Sequence, residues 1–257
     1  MKMAEELQRE LCSINRKSYP AYKGLKGAYQ FPDYQLFIEH VQGDPFAAPS
    51  ALRIFVPHSK AKFPERYYWD KCSKVALQDA LLRRFAEISA KFCYQAKGSG
   101  KSGVIQVSHC GQEVLERTAC EITKEGIHIR FFVGFPANGR TINSGELEKI
   151  LFVYLPKCVE MSLYHRKVPE RETEQVICLK EDQRVIREEL KKRGLIAFVA
   201  NGSILPRQSG NSDLPMKDAV PFQSPKSMEI TIQLRHRGSI TGMGIRKGIT
   251  LIAGGGY

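Results

Sequence analysis

The sequence lacks what small stapled folds and metal modules need. Its seven cysteines (Cys12, Cys72, Cys93, Cys110, Cys120, Cys158 and Cys178) are odd in number, and no two are closer than ten residues. Metal knuckles need close Cys or His pairs, so a zinc module is excluded and reduced thiols in a cytoplasmic setting are expected. His40, His58, His109, His128, His165 and His236 are scattered without triad or ligand spacing. No run approaches the roughly 20 apolar residues of a membrane span. The opening residues 1–11 contain Glu5, Glu6 and Glu10 and no apolar core, which excludes a secretory signal or an acid-poor transit peptide. Acidic residues are scarce too, 27 against 39 Lys and Arg.

What remains is a soluble, folded chain. Its 257 residues, 42% hydrophobic and 26% charged, give room for one large or two modest domains with cores of their own. The net charge of +12 points to phosphate-rich partners. Residues 1–110 hold 17 basic and 10 acidic side chains, 111–193 hold 15 and 14, and 194–257 hold 7 and 3. Two positive regions therefore flank a neutral centre, as on a protein with two surfaces, or two halves of one, facing an anion.

Periodicity predicts a mixed α+β chain. Met3, Leu7 and Leu11 share a helical face ahead of Pro20. Residues 34–41 and 52–56 alternate as paired strands around the Gly43-Asp44-Pro45 loop, where Asp44 suits a turn. Leu77, Leu81, Leu82, Phe85, Ile88 and Phe92 form a helical stripe within 75–94. Residues 113–123 and 127–134 read as a hairpin, and Asn143 with Glu146 as the cap of a helix whose apolar face runs up to Pro156. A helix over 173–193 closes on Lys191, Lys192, Arg193 and Gly194, as the helix dipole favours. From Leu195 the texture changes. Residues 195–199 are a continuously apolar run of the covered-sheet kind, 228–234 and 240–245 alternate, and 248–253 read as a buried strand. The boundary is placed at Gly194, giving domains 1–194 and 195–257.

Two glycine-rich segments invite a phosphate reading. Gly100-Lys101-Ser102, within 98–103, has the end of a P-loop, but the first glycine of G-x-x-x-x-G-K-[ST] would stand at Gln95, and the segment follows a helix instead of a strand. A basic surface turn fits it better. The second segment is Gly254-Gly255-Gly256-Tyr257, which opens like a phosphate loop but has no Lys, Ser or helix after it.

Several long, collinear stretches carry a family resemblance. They include Lys17-Ser18-Tyr19, Tyr29-Gln30-Phe31-Pro32, His40-Val41-Gln42-Gly43-Asp44-Pro45-Phe46 and Gly111-Gln112-Glu113-Val114-Leu115-Glu116-Arg117-Thr118. Later come Gly202-Ser203-Ile204-Leu205-Pro206-Arg207, Val220-Pro221-Phe222-Gln223-Ser224-Pro225 and Thr241-Gly242-Met243-Gly244-Ile245. Over its whole length the chain resembles the N-terminal half of the ATPases of the ABC class.

The resemblance implies a family-specific N-terminal α/β domain followed by the first β-strands of an incomplete ABC-type nucleotide-binding domain. In that family Gly-Gly-Gly-Tyr continues as His-Gly-Lys-Ser, so Gly254, Gly255, Gly256 and Tyr257 would open the P-loop and the 257 residues would stop inside it. ATP and Mg are the implied cofactors of the complete protein, a homodimer its implied assembly, and no hydrolysis is expected from these residues alone. Where transporter-type ABC domains stack adenine on an aromatic, this chain has Leu234-Arg235-His236-Arg237.

A nucleic-acid partner, RNA or DNA, is the second expectation. Its candidate contacts are Lys23 and Lys26, interleaved with Tyr19, Tyr22 and Tyr29, together with Arg83, Arg84, Lys97, Lys101 and Arg207. The alternative function is an RNA- or DNA-binding module acting independently of ATP. Gln112, Glu113, Glu116 and Arg117 could form a polar site, though cross-strand ion pairs explain them as well.

Overall fold

Strand alternation and one long amphipathic helix shape the first part of the chain. The computed structural model describes residues 1–251, and contacts divide the chain into Met1–Glu174 and Gln175–Tyr257. The first unit runs β1 (Lys2–Met3), α1 (Ala4–Ile14), a 3-10 turn Tyr19–Leu25, β2 (Gly27–Gln30), β3 (Gln35–His40), β4 (Ser50–Pro57), α2 (His58–Ala61) and α3 (Lys71–Ala90). It continues with β5 (Ile105–Gln106), β6 (Cys120–Ile122), β7 (Gly126–Val133), β8 (Ala137–Asn138), β9 (Thr141–Ile142), α4 (Ser144–Glu148), a π-helical stretch Lys149–Tyr154 and α5 (Leu155–Leu163). Helix α6 (Glu170–Lys192) leads to β10 (Leu195–Ala200), β11 (Glu229–Gln233) and β12 (Ser239–Arg246). The mixed α+β class expected from the sequence is the class observed.

The main sheet has the order β1-β2-β3-β4-β7-β5, with β6 also pairing with β7. All its pairs are antiparallel except β1 with β2. Strand β4 buries Ser50, Leu52, Ile54 and Val56 and leaves Ala51, Arg53 and Phe55 half-buried on the other face. Its partner β7 buries Ile127, Ile129, Phe131 and Val133. Each such aliphatic side chain contributes about 1.5–3 kcal/mol when fully buried. Helix α3 covers this face, its Phe85 ring 5.4 Å from that of Phe131. The Asp70 carboxylate caps α3 by accepting from the Ser73 amide at 2.7 Å.

A buried carboxylate redirects the chain beside α3. Asp79, 2% exposed, is held by Arg83 Nε at 2.6 Å and faces Arg117 Nε at 3.5 Å. Arg83 also donates to the carbonyls of Gly111 at 2.6 Å and Glu113 at 3.3 Å. The expected strand over 113–119 is therefore absent, and the hairpin begins only at Cys120. Guanidiniums claim the carbonyls that a ladder would have used. Past Asn143 the helix also differs from expectation: it runs through Pro156 to Leu163, because the proline sits in the first turn of α5 directly after the π-helical stretch.

The second unit joins α6 to the antiparallel sheet β10-β12-β11. Residues 195–199 do not form a covered strand, since in β10 only Leu195 is buried and Ile196 is 54% exposed. Residues 248–251 form no strand either. The β12 ladder ends at Arg246, and Ile249 and Leu251 stand exposed. Ile252 and Ala253, the rest of that expected strand, lie outside the described residues. The units divide within α6 and not at Gly194, where the residue texture changes.

Two outcomes follow from the packing. Burial pushes the phenols of Tyr19, Tyr22, Tyr29 and Tyr34 well above the usual range, and that of Tyr164 up to about 12. A raised folded pKa gives stability that is complete below about pH 10 and lost as pH rises beyond it. Absorbance at 295 nm should therefore show these five phenols ionising only together with alkaline loss of the circular dichroism signal. Asp79→Ala should cost about 2 kcal/mol in urea unfolding, because it removes the buried acceptor that holds two half-buried guanidiniums, Arg83 and Arg117. Glu116→Gln, which breaks only the exposed pair with Lys71, should leave the midpoint unchanged.

Candidate functional site

Sheet register brings distant segments to one end of the first unit. Gly27 pairs with Ile38, Ser50 with Val133, and Ile105 with Val133. The chain before β2, the β3–β4 loop, the segment before β5 and the segment after β7 therefore share that end. Tyr19 and Tyr22 lock it, donating their hydroxyls to the carbonyls of Phe135 at 2.9 Å and Pro136 at 2.7 Å. Gln42, 1% exposed, accepts from the Phe135 amide at 3.1 Å, donates to the Asp44 carbonyl at 3.0 Å and gives its own amide to Ser50 Oγ at 3.1 Å. Ser102 Oγ accepts from the Ala137 amide at 3.1 Å. Gly134 permits this closeness, for a Cβ there would lie 1.8 Å from the Lys101 carbonyl oxygen.

The 98–103 segment is a tied loop and not a phosphate cradle. The amides of Ser99, Lys101, Ser102 and Gly103 donate to the carbonyls of Ala137, Pro45, Ser99 and Gly134 at 2.7, 2.8, 3.2 and 3.0 Å. A P-loop needs such amides free to converge on phosphate. Gly254, Gly255, Gly256 and Tyr257, the other phosphate candidates, lie outside the described residues. Among the described residues no group of three or more His, Cys, Asp or Glu could hold a metal ion, and no helix is long and apolar enough to cross a membrane.

Six of the seven candidate nucleic-acid contacts belong to the first unit and separate into two sets. Arg83 serves Asp79 and the 111–113 backbone, while Arg84 donates to the carbonyls of Met161 at 2.7 Å and Lys167 at 3.1 Å. Both hold the fold together. Lys23, Lys26, Lys97 and Lys101 are all exposed at the loop end. Lys97 gives its amide to Glu146 at 2.9 Å. Against the desolvation that would raise it, the Lys149 ammonium and this amide hold the Glu146 carboxyl below its ordinary value. Tyr19, Tyr22 and Tyr29, interleaved with Lys23 and Lys26, are 1%, 0% and 0% exposed and cannot stack on bases. Asp44 is a turn residue, its Oδ1 accepting from the amides of Phe46 at 2.8 Å and Ala47 at 3.2 Å.

Three further cations join the loop end. The Arg16 amide donates to Ile142 O at 3.1 Å, the Ile142 amide to Lys17 O at 2.9 Å and the Tyr19 amide to Arg140 O at 3.0 Å. Arg16, Lys17 and Arg140 are exposed. Arg140 comes from the charge-neutral centre of the sequence, so only the topology reveals it.

In the second unit the 234–237 turn is held by carboxylates of α6. Glu181 Oε2 lies 2.6 Å from His236 Nε2 and 3.5 Å from Arg235, and Asp182 Oδ1 accepts the His236 amide at 2.9 Å. The His236 ring is thereby committed to Glu181. Arg207 is exposed, 4.0 Å from Asp213. A cavity of about 530 Å³ is lined in part by Arg193, Arg246 and Lys247, at the end of β12.

Two family models match the chain in succession. Residues 4–166 match the model described as ATPase of the ABC class N-terminal, and residues 169–257 match a P-loop domain model of the ABC ATPases. No curated protein matches it significantly. The resemblance read from the collinear motifs is the relationship these matches give: the chain belongs to the ATPases of the ABC class.

Proposed function

We propose that this ABC-class chain links nucleotide binding to the handling of nucleic acid, and that the basic loop end of the first unit is where the nucleic acid sits. One observation carries the second part: Lys23 and Lys26 lie at the same end of the sheet as Lys97 and Lys101, a pair far from them in sequence. None of the four forms an ion pair among the described residues. The Glu146 carboxylate offsets part of the Lys97 charge, while the other three cations, without carboxylate partners on a locked scaffold, keep their attraction for phosphate and release counterions when they meet it.

On the nucleotide side, Gly254, Gly255 and Gly256 would offer backbone amides to the phosphates of ATP, with Tyr257 continuing the turn. Bound Mg would supply charge neutralisation between the terminal phosphates. Turnover needs a Lys and a Ser or Thr working beside such glycines, and we propose that these 257 residues by themselves do not turn over ATP. A reading in which the nucleic acid binds without ATP is favoured by one fact: every proposed loop-end contact belongs to Met1–Glu174.

These proposals make two measurable claims. Incubated with ATP and Mg, the 257-residue protein should release phosphate no faster than buffer, and turnover above that background would remove the inactivity claim. Fluorescence anisotropy should show it binding single-stranded RNA with affinity falling steeply with salt. Replacing Lys23, Lys26, Lys97 and Lys101 together by Ala should flatten the logarithmic salt slope by about 3, at about 0.7 per phosphate contact. Absence of binding even at low salt would end the nucleic-acid reading.

A further inference from the structure

We infer that the loop end discriminates single-stranded nucleic acid from duplex by stacking a base on Phe46, with Arg16, Lys17 and Arg140 extending the phosphate track beside it. The inference rests on the nucleic-acid reading above and adds the class of strand and the residues that select it.

Phe46 is 61% exposed, an apolar ring at the tip of the β3–β4 loop. Nothing about its backbone is loose. Its amide donates to Asp44 Oδ1, the Asp44 carbonyl is held by Gln42, and the Pro45 carbonyl accepts from the Lys101 amide at 2.8 Å. Gly100 lies under the ring, since a Cβ there would be 3.0 Å from Phe46 Cδ1 and 2.4 Å from the Pro45 oxygen. The glycine has φ of +62°, a left-handed conformation that also favours its having no side chain. The ring is therefore presented outward by a braced loop, beside the backbone of Lys101.

The cations around it follow from backbone bonds. Ser99, next to Gly100, accepts the Gly139 amide on its Oγ at 2.9 Å, which places Arg140 one residue from that contact. Tyr19 and Ile142 then tie Arg140 to Arg16 and Lys17. Among the described residues Arg16, Lys17, Lys101 and Arg140 form no ion pair. The carboxylate nearest in the chain to Phe46, that of Asp44, is turned into its own loop.

A polyanion with exposed flat apolar faces matches an outward ring flanked by unpaired cations. Unstacked bases in a single strand offer those faces, whereas a duplex hides them and presents phosphate alone. An acidic peptide would satisfy the cations and leave Phe46 without a planar partner.

The test compares the 257-residue protein with Phe46→Ala, Phe46→Trp and Arg16→Ala/Arg140→Ala, using a fluorescein-labelled oligouridylate of about 20 nucleotides and an RNA duplex of equal length. Phe46→Ala should weaken binding of the single strand about tenfold at every salt concentration without changing the salt slope, and should leave duplex binding unaltered. Phe46→Trp should restore single-strand binding. The double arginine variant should instead flatten the slope by about 1.4, two contacts at about 0.7 each. Circular dichroism melts check that the variants are folded. If the unaltered protein binds the oligouridylate and Phe46→Ala binds it equally well, or if Phe46→Ala weakens strand and duplex alike, the inference is overturned. If the unaltered protein binds neither probe at low salt, the underlying nucleic-acid reading falls instead.

Discussion

The loop end of the first unit depends on a single buried amide. Gln42 uses both ends of its side chain and its backbone N–H to join the β3–β4 loop, the start of β4 and the segment after β7. Such a side chain in a dry interior is costly unless its polar atoms are satisfied, so the surrounding groups must take one arrangement. Around it the phenols of Tyr19 and Tyr22 bind neighbouring carbonyls, their rings 5.1 Å apart. The surface above inherits that order: lysines and a phenylalanine stand on loops whose backbones are tied to neighbouring segments.

Two kinds of basic residue divide the labour in this unit. Arg83 and Arg84 each reach two carbonyls from one guanidinium, Arg83 fastening the irregular 111–113 segment and Arg84 tying Met161 of α5 to Lys167 in the turn that follows. A planar fork of donors suits that purpose better than an ammonium point charge. The exposed lysines of the loop end make few internal contacts. Counting basic residues along the chain treats both kinds alike, and the structure shows them to be chemically different populations.

Much of the architecture was legible because the burial pattern is regular. Leu52, Ile54 and Val56 alternate cleanly, and the stripe of α3 points Leu77, Leu81 and Phe85 inward. The failures have physical causes. Residues 113–119 alternate like a strand, yet Arg83 and Arg117 gather around Asp79 and take carbonyls from the ladder, an interaction with no local signature. Tyr19, Tyr22 and Tyr29 beside lysines look like a stacking surface, but a 3-10 turn and a strand rotate all three rings inward. Arg140 was hidden by its setting in a neutral stretch, and Phe46 by a turn motif that explained Asp44 without drawing notice to the ring beside it. Proximity across a sheet end is a property of register, which hydrophobic spacing specifies only indirectly.

The position of α6 bears on how the second unit is built. Composition changes at Gly194, where charged residues give way to an apolar run, but contacts keep most of the helix with the strands that follow it. Glu181 and Asp182 supply the reason, because they bind the side chain and backbone of His236 in the turn between β11 and β12. The two carboxylates are 7% and 2% exposed, and buried charge of that kind is tolerated only where partners are fixed. A turn that its strands alone would leave loose is thereby given one geometry, and β12 enters its ladder from a defined starting point.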